Sequence, residues 1–181
     1  MTQCSSFQAR VGNDSYSVYI SHDADTAINA FLSEFSHSSV LIIADSCFRD
    51  HEFLPSKQYK LLLSSYTTHY LNGGVESKSL SALESIFDTL SCYNLPRDGL
   101  IVSLGGGVIG DIAAMAASIY QRGIKLIHIP TTSTSMLDSS IGGKTAVNYK
   151  GQVNLLGTYY NPCALFCDTR FLRTLPTRDL Y

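Results

Sequence analysis

The chain has 181 residues, 13 Lys plus Arg against 15 Asp plus Glu, a formal net charge of -2 and 45% hydrophobic positions. A chain of this size buries roughly two thirds of the surface its unfolded form exposes, which excludes both disorder and a need for disulfides or metal to hold a core. Near-neutral charge without a basic run excludes the electrostatic footprint of a nucleic-acid or anionic-membrane binder, and the absence of a secretory signal in the first twenty residues makes the cytoplasm the expected location.

In chain order, the apolar spacing of Ala27, Ala30, Phe31 and Phe35 predicts a helix over residues 24–35. The run Val40-Leu-Ile-Ile-Ala44 is too short for a helix and reads as a strand buried on both faces, with Asp45 at its carboxyl end. Similar runs predict strands at residues 60–63, 99–104, 125–129 and 164–167, and Leu80, Leu83, Ile86, Phe87 and Leu90 predict a helix over 78–90. Alternating strands and helices specify an α/β domain, Rossmann-like, with a mostly parallel sheet flanked by helices on both sides. From Gly142 to Tyr160 the dominance of Gly, Asn, Thr and Tyr predicts a β-hairpin insertion.

Five cysteines (Cys4, Cys47, Cys92, Cys163 and Cys167) are scattered without zinc or disulfide spacing and read as free thiols. Five histidines (His22, His37, His51, His69 and His128) lack ligand spacing as well, and none is assigned to a metal.

The most informative stretch is Leu104-Gly-Gly-Gly-Val-Ile-Gly-Asp111, between a buried strand and the alanine-rich segment 112–120. Gly105, Gly107 and Gly110 satisfy G-x-G-x-x-G, the pattern in which a tight turn brings a pyrophosphate against a helix N-terminus. The acidic ribose ligand expected about 20 residues later is missing from the segment Ile129–Ser135. Asp45 is the natural substitute, with the pyrophosphate at Gly106 and Gly107. Downstream, a hydroxyl-rich run from Pro130 to Asn148 carries one carboxylate, Asp138, and one ammonium, Lys144, suited to orienting a hydroxylated anion. Arg122 is a further cation available to a phosphate or carboxylate.

These residues resemble the 3-dehydroquinate synthases, members of the sugar-phosphate cyclase and iron-type alcohol dehydrogenase-like superfamily. The resemblance rests on Gly105-Gly-Gly-Val-Ile-Gly-Asp111, Tyr120-Gln-Arg-Gly123, Ile129-Pro-Thr-Thr132 and Asp138-Ser-Ser-Ile-Gly-Gly-Lys-Thr145. It continues through Asn154-Leu-Leu-Gly157, Asn161-Pro162 and Phe171-Leu-Arg-Thr-Leu-Pro176. It implies an NAD-dependent lyase of the shikimate pathway that converts 3-deoxy-arabino-heptulosonate 7-phosphate to 3-dehydroquinate with release of phosphate.

By position, the resemblance implies that Asp45, Lys78, Gly106, Gly107, Asp111, Thr131, Thr132, Ser139, Phe171, Thr174 and Leu175 line the NAD site. It implies that Arg122, Asp138, Lys144 and Asn154 face the sugar phosphate. The chain departs from the family pattern at Val75, Val153 and Asp179, with Glu76 and Lys150 as near substitutes for the first two. The family also has a C-terminal helical domain with a glutamate and two histidines that hold zinc or cobalt. Residues 1–181 are therefore expected to be the NAD-binding N-terminal domain, ending before that metal-binding domain and inactive alone, within a protein that is a homodimer at full length. An alcohol or glycerol dehydrogenase of the same superfamily and a noncatalytic nucleotide-binding remnant are the alternatives.

Overall fold

A computed structural model describes residues 4–12 and 14–176, so the departure at Asp179 lies outside the described residues. Among the described residues, nine strands and four α-helices follow in chain order: β1 (Ser5–Val11), β2 (Asp14–Ser21), α1 (Asp25–Leu32), β3 (Val40–Asp45), α2 (Lys57–Ser65), β4 (Thr67–Leu71) and α3 (Leu80–Tyr93). They continue with β5 (Leu100–Gly105), α4 (Gly107–Ile119), β6 (Lys125–Pro130), β7 (Lys144–Tyr149), β8 (Gln152–Tyr159) and β9 (Ala164–Asp168). Seven strands form one sheet in the order β1-β2-β9-β6-β5-β3-β4, parallel throughout except for the β1–β2 pair.

The central strands are apolar on consecutive residues because both faces of the sheet are covered. In β3, Val40, Ile42 and Ala44 face a layer containing Ile28 and Leu32 of α1 and Leu62 and Leu63 of α2. Leu41 and Ile43 face the opposite layer, with Leu83, Ile86 and Leu90 of α3 and Ile112, Ala113 and Ala116 of α4. The small α4 residues let that helix sit close to the sheet.

One predicted strand is wrong. Residues 60–63 lie in α2, where Tyr59, Leu62 and Leu63 are buried and Leu61 is 56% exposed. That is the i, i+3, i+4 pattern of a helix with one inner face, and consecutive leucines conceal it. The strand in this part of the sheet is β4, whose Thr67-Thr-His-Tyr-Leu sequence suits a half-buried edge. Strands β1 and β2 were not anticipated either, although Tyr16 and Val18 alternate inward along β2.

The hairpin forms as predicted. β7 and β8 pair antiparallel as a separate two-stranded sheet, and Lys150 and Gly151 turn it with φ of 48° and 77°. Positive φ at both central positions is the geometry of a tight hairpin turn. Val147 and Leu156 pack the hairpin against the α4 layer. All five cysteines are free, and no described helix is long and apolar enough to cross a membrane.

Candidate functional site

From β3 the chain proceeds outward to β4, whereas β5 returns to the other side of β3 and leads toward β6. The connections that leave the carboxyl ends of β3 and β5 therefore run to opposite faces of the sheet, leaving a crevice of the kind in which open α/β sheets bind ligands. It is a cleft of about 530 Å³, lined after β3 by Asp45 and Cys47, after β4 by Gly73 and Gly74, after β5 by Gly106 and Gly107, after β6 by Thr131 and Thr132, and after β9 by Thr174, Leu175 and Pro176.

The glycine turn forms the floor. Helix α4 starts at Gly107, five residues earlier than predicted, and its N-cap Gly106 provides no side-chain hydrogen bond. Gly110 N–H makes the first helical bond, to the Gly106 carbonyl at 3.0 Å. The N–H groups of Gly107, Val108 and Ile109 precede it and have no helical acceptor. A Cβ on Gly107 would lie 2.7 Å from Ser139 Oγ, and one on Gly106 3.1 Å from Thr132 Cγ2. Ser139 Oγ is itself buried without a hydrogen-bond partner. Bare amides, a positive helix end and an unpartnered hydroxyl suit a pyrophosphate.

Asp45 Oδ1 accepts a hydrogen bond from Cys47 N–H at 3.0 Å. A Cβ on Gly73 would come within 2.6 Å of the other Asp45 oxygen, so glycine there leaves room for this carboxylate. Burial, reinforced by Asp45, pushes the Cys47 thiol up to about 12.

A second, polar pocket of about 310 Å³ opens between α4 and the hairpin, lined by Asp111, Asp138, Ser139, Lys144, Thr145, Ala146 and Asn154. Ser139 and its contact with the glycine turn form the boundary between the two cavities. Lys78, 6% exposed, pairs with Asp111 and donates to Asn154 Oδ1 at 2.6 Å. Burial raises the Asp111 carboxyl above its ordinary range, and Lys78 opposes that rise.

The family model of the 3-dehydroquinate synthase N-terminal domain matches residues 68–181. The chain belongs to the 3-dehydroquinate synthase family. It is 37% identical over 172 residues to the 3-dehydroquinate synthase of Shewanella frigidimarina, covering 95% of this chain and 48% of that protein. It is 42% identical over 145 residues to that of Natranaerobius thermophilus, covering 78% and 39% respectively. The chain thus spans about half the length of the curated relatives it matches, or less.

Among solved structures, a 2-deoxy-scyllo-inosose synthase complexed with carbaglucose-6-phosphate, NAD+ and Co2+ superposes with a TM-score of 0.81 at 28% identity, over 97% of this chain and 48% of that one. A 2-epi-5-epi-valiolone synthase from Streptomyces hygroscopicus with NAD+ and Zn2+ bound gives 0.78 at 29% identity, over 94% and 48%. A glycerol dehydrogenase from Schizosaccharomyces pombe, at 21% identity and a TM-score of 0.60, covers 87% of this chain and 38% of that one and shares the fold alone.

Several residues singled out through the 3-dehydroquinate synthase resemblance lie elsewhere than expected. Phe171 does not line the cleft: it is fully buried, edge-on to Phe48 and Tyr59, and supports the turn that carries Thr174. Asp111 lines the polar pocket with Lys78 paired behind it, and Ser139 lines that pocket beside the glycine turn. Arg122 is not brought to Asp138 and Lys144. It follows the C-terminal end of α4, about 20 Å along the helix from the glycine turn, and is exposed.

Glu76 faces a shallow surface depression with Arg49 and Tyr70, not the cleft around Asp45. Lys150 is at the hairpin tip, with its ammonium 5.4 Å from the Tyr149 ring centre. Both substitutes are thus outside the two cavities. Sequence reasoning missed Gly73, Gly74 and Cys47; the adjacent glycines after a strand were the available signal. Among the described residues, Asp23, Asp25 and Asp168 approach one another at metal-ligand distances, and Arg170 is paired with all three.

Proposed function

We propose that residues 1–181 are the NAD-binding domain of a 3-dehydroquinate synthase, which cyclises 3-deoxy-arabino-heptulosonate 7-phosphate to 3-dehydroquinate and releases phosphate. The observation that carries this reading is the junction of two cavities at Gly107 and Ser139, one suited to a dinucleotide and one to a polyhydroxylated anion. When bound, NAD supplies a reversible oxidant for a secondary alcohol. Asp45 is placed to accept from ribose hydroxyls, and the amides at Gly107 and Val108 to donate to the pyrophosphate. Thr131, Thr132, Thr174 and Leu175 form the far walls of the same cleft.

In the polar pocket, Lys144 provides a charge-assisted donor, Asp138 an acceptor for hydroxyls, and Asn154 an amide held by Lys78. Asp111, with its raised carboxyl, lines the same pocket one turn along α4 from Gly107. The metal, zinc or cobalt as in the neighbours described, is assigned to the part of a synthase beyond this domain. By itself the chain is expected to bind the nucleotide without turnover, and the complete enzyme to be a cytoplasmic homodimer.

Calorimetry with NAD tests the first half of the reading. The second is tested by combining the chain with the C-terminal domain of a relative and following phosphate release. Accumulation of reduced cofactor with glycerol, without phosphate release, would instead identify a dehydrogenase. Nucleotide binding without any turnover in that combined protein would identify a binding remnant.

A further inference from the structure

Lys78 stands behind the polar pocket and holds two of the residues that line it. Its side chain is 8% exposed, and its ammonium has two acceptors, Asp111 of α4 and Asn154 of β8. Its carbonyl accepts from Asn148 N–H at 2.8 Å. Asn148 also donates its side-chain amide to the Val75 carbonyl at 3.1 Å and accepts from Asn154 N–H at 2.9 Å.

These bonds fill an irregularity in the hairpin. The β7–β8 register shifts between Val147 and Tyr149, and Asn154 opposite has a φ of 55°, in the left-handed region. A non-glycine residue there persists only when its surroundings hold it. Four residues before Lys78, on the same short segment, Gly74 walls the nucleotide cleft. The segment that walls the first cavity therefore carries an ammonium that bridges the helix starting at the glycine turn and a strand lining the second cavity.

We propose that Lys78 is a positioning residue that fixes Asn154 and Asp111 in the polar pocket and couples that pocket to the nucleotide cleft. The inference rests on the assignment of NAD to the cleft. A nucleotide settling against Gly74 and the glycine turn restrains both ends of the Lys78 bridge, and the hairpin is restrained through Asn154. A side chain already ordered in this way costs less to order again when the second ligand arrives, so binding at the two cavities is mutually favourable.

The test compares the protein with its Lys78→Met and Asn154→Gly variants, using amide hydrogen exchange at Asn148 and Asn154 (Asn148 only in Asn154→Gly), NMR titration of Asp111, and NAD as the probe. In the wild type NAD is expected to slow exchange at both amides. In Lys78→Met both amides should exchange at least about tenfold faster than in the wild type, with no response to NAD. Asp111 should titrate at higher pH, because only burial then acts on it.

Asn154→Gly relieves the left-handed backbone and keeps the Lys78–Asp111 pair. Asp111 should therefore titrate as in the wild type while the NAD response at Asn148 disappears. This variant carries the test if Lys78→Met does not fold. Exchange within about twofold of wild type in Lys78→Met, or an equal NAD response in all three proteins, would overturn the proposal. A wild type that binds no NAD would overturn the nucleotide assignment and the coupling, while the exchange and titration shifts of the free protein would still decide the positioning role.

Discussion

Two buried charge networks in this molecule look alike in composition and differ in what surrounds them. Asp168, fully buried at the end of β9, accepts from Ala24 N–H, from the Tyr59 hydroxyl and from the backbone and guanidinium of Arg170. Arg170 also binds Asp25 at 2.7 Å, and burial followed by the Asp168 charge pushes the Tyr59 hydroxyl well up. Both Asp168 oxygens are saturated. Asp111 in the second network accepts from Lys78 and borders an open pocket. A saturated carboxylate holds elements together, and a half-satisfied one beside a cavity is available to a ligand. The first network ties α1, α2 and the turn after β9; the second is part of the site.

The largest expected effect tests the structural network. Asp168→Asn leaves Arg170 and its neighbours without their central charge, and breaking a buried pair typically costs about 3–5 kcal/mol. For a domain of this size, that corresponds to a fall in Tm of roughly 6 to 20 °C by calorimetry. NAD affinity of the protein that remains folded should be unchanged. Reduced affinity at full folding would assign Asp168 to the site instead.

Gly107→Val tests the other side of the comparison. Its Cβ would meet Ser139 Oγ at 2.7 Å and occupy the space against the bare amides. NAD affinity should fall at least about 100-fold, roughly 3 kcal/mol, with helix content by circular dichroism nearly intact. Unchanged affinity would remove the turn from the site.

His128 is a buried titratable group of the fold, and its effect should appear in stability and not in ligand affinity. It donates to or accepts from Ser103 at 2.6 Å, and burial lowers its pKa to about 4. The folded state therefore favours the neutral ring. This contribution is fully present above about pH 6.5 and is lost as pH falls through about 4, the loss having reached about 2 kcal/mol at pH 5. Denaturant midpoints between pH 7 and pH 5 should show the decline in the wild type and little of it in His128→Gln.

The smallest effect on the fold should come from Lys144→Met. Lys144 is exposed at the start of β7, so stability should change by less than about 1 kcal/mol. Affinity for inorganic phosphate or a sugar phosphate in the polar pocket should fall by about 1.5–3 kcal/mol, through loss of a charge-assisted hydrogen bond. A large loss of Tm with unchanged anion affinity would make Lys144 structural.

Local chemistry alone determined much of this protein. Consecutive β-branched residues in Val40–Ala44 and Leu100–Leu104 marked strands covered on both faces. Glycines between a strand and a helix marked the turn, and the Gly- and Asn-rich stretch after Ile141 marked a hairpin. These features were legible because each is set by neighbours within a few residues. Lys60–Leu63 was not legible in this way, since three successive leucines fit a strand and a helix equally and only the buried Tyr59 and Leu62 decide between them.

What only the tertiary structure decided was which of the polar residues meet. Lys78 is 33 residues from Asp111 and 76 from Asn154. Arg122 is far closer to Asp111 in sequence, yet lies at the other end of α4. Phe171, three residues from Thr174, points into the core while Thr174 lines the cleft. Periodicity records which face of an element is apolar, but it carries no information on which distant elements stand side by side. That is set by strand order in the sheet, and here the parting of the connections after β3 and β5 and the docking of the hairpin on α4 assemble both cavities.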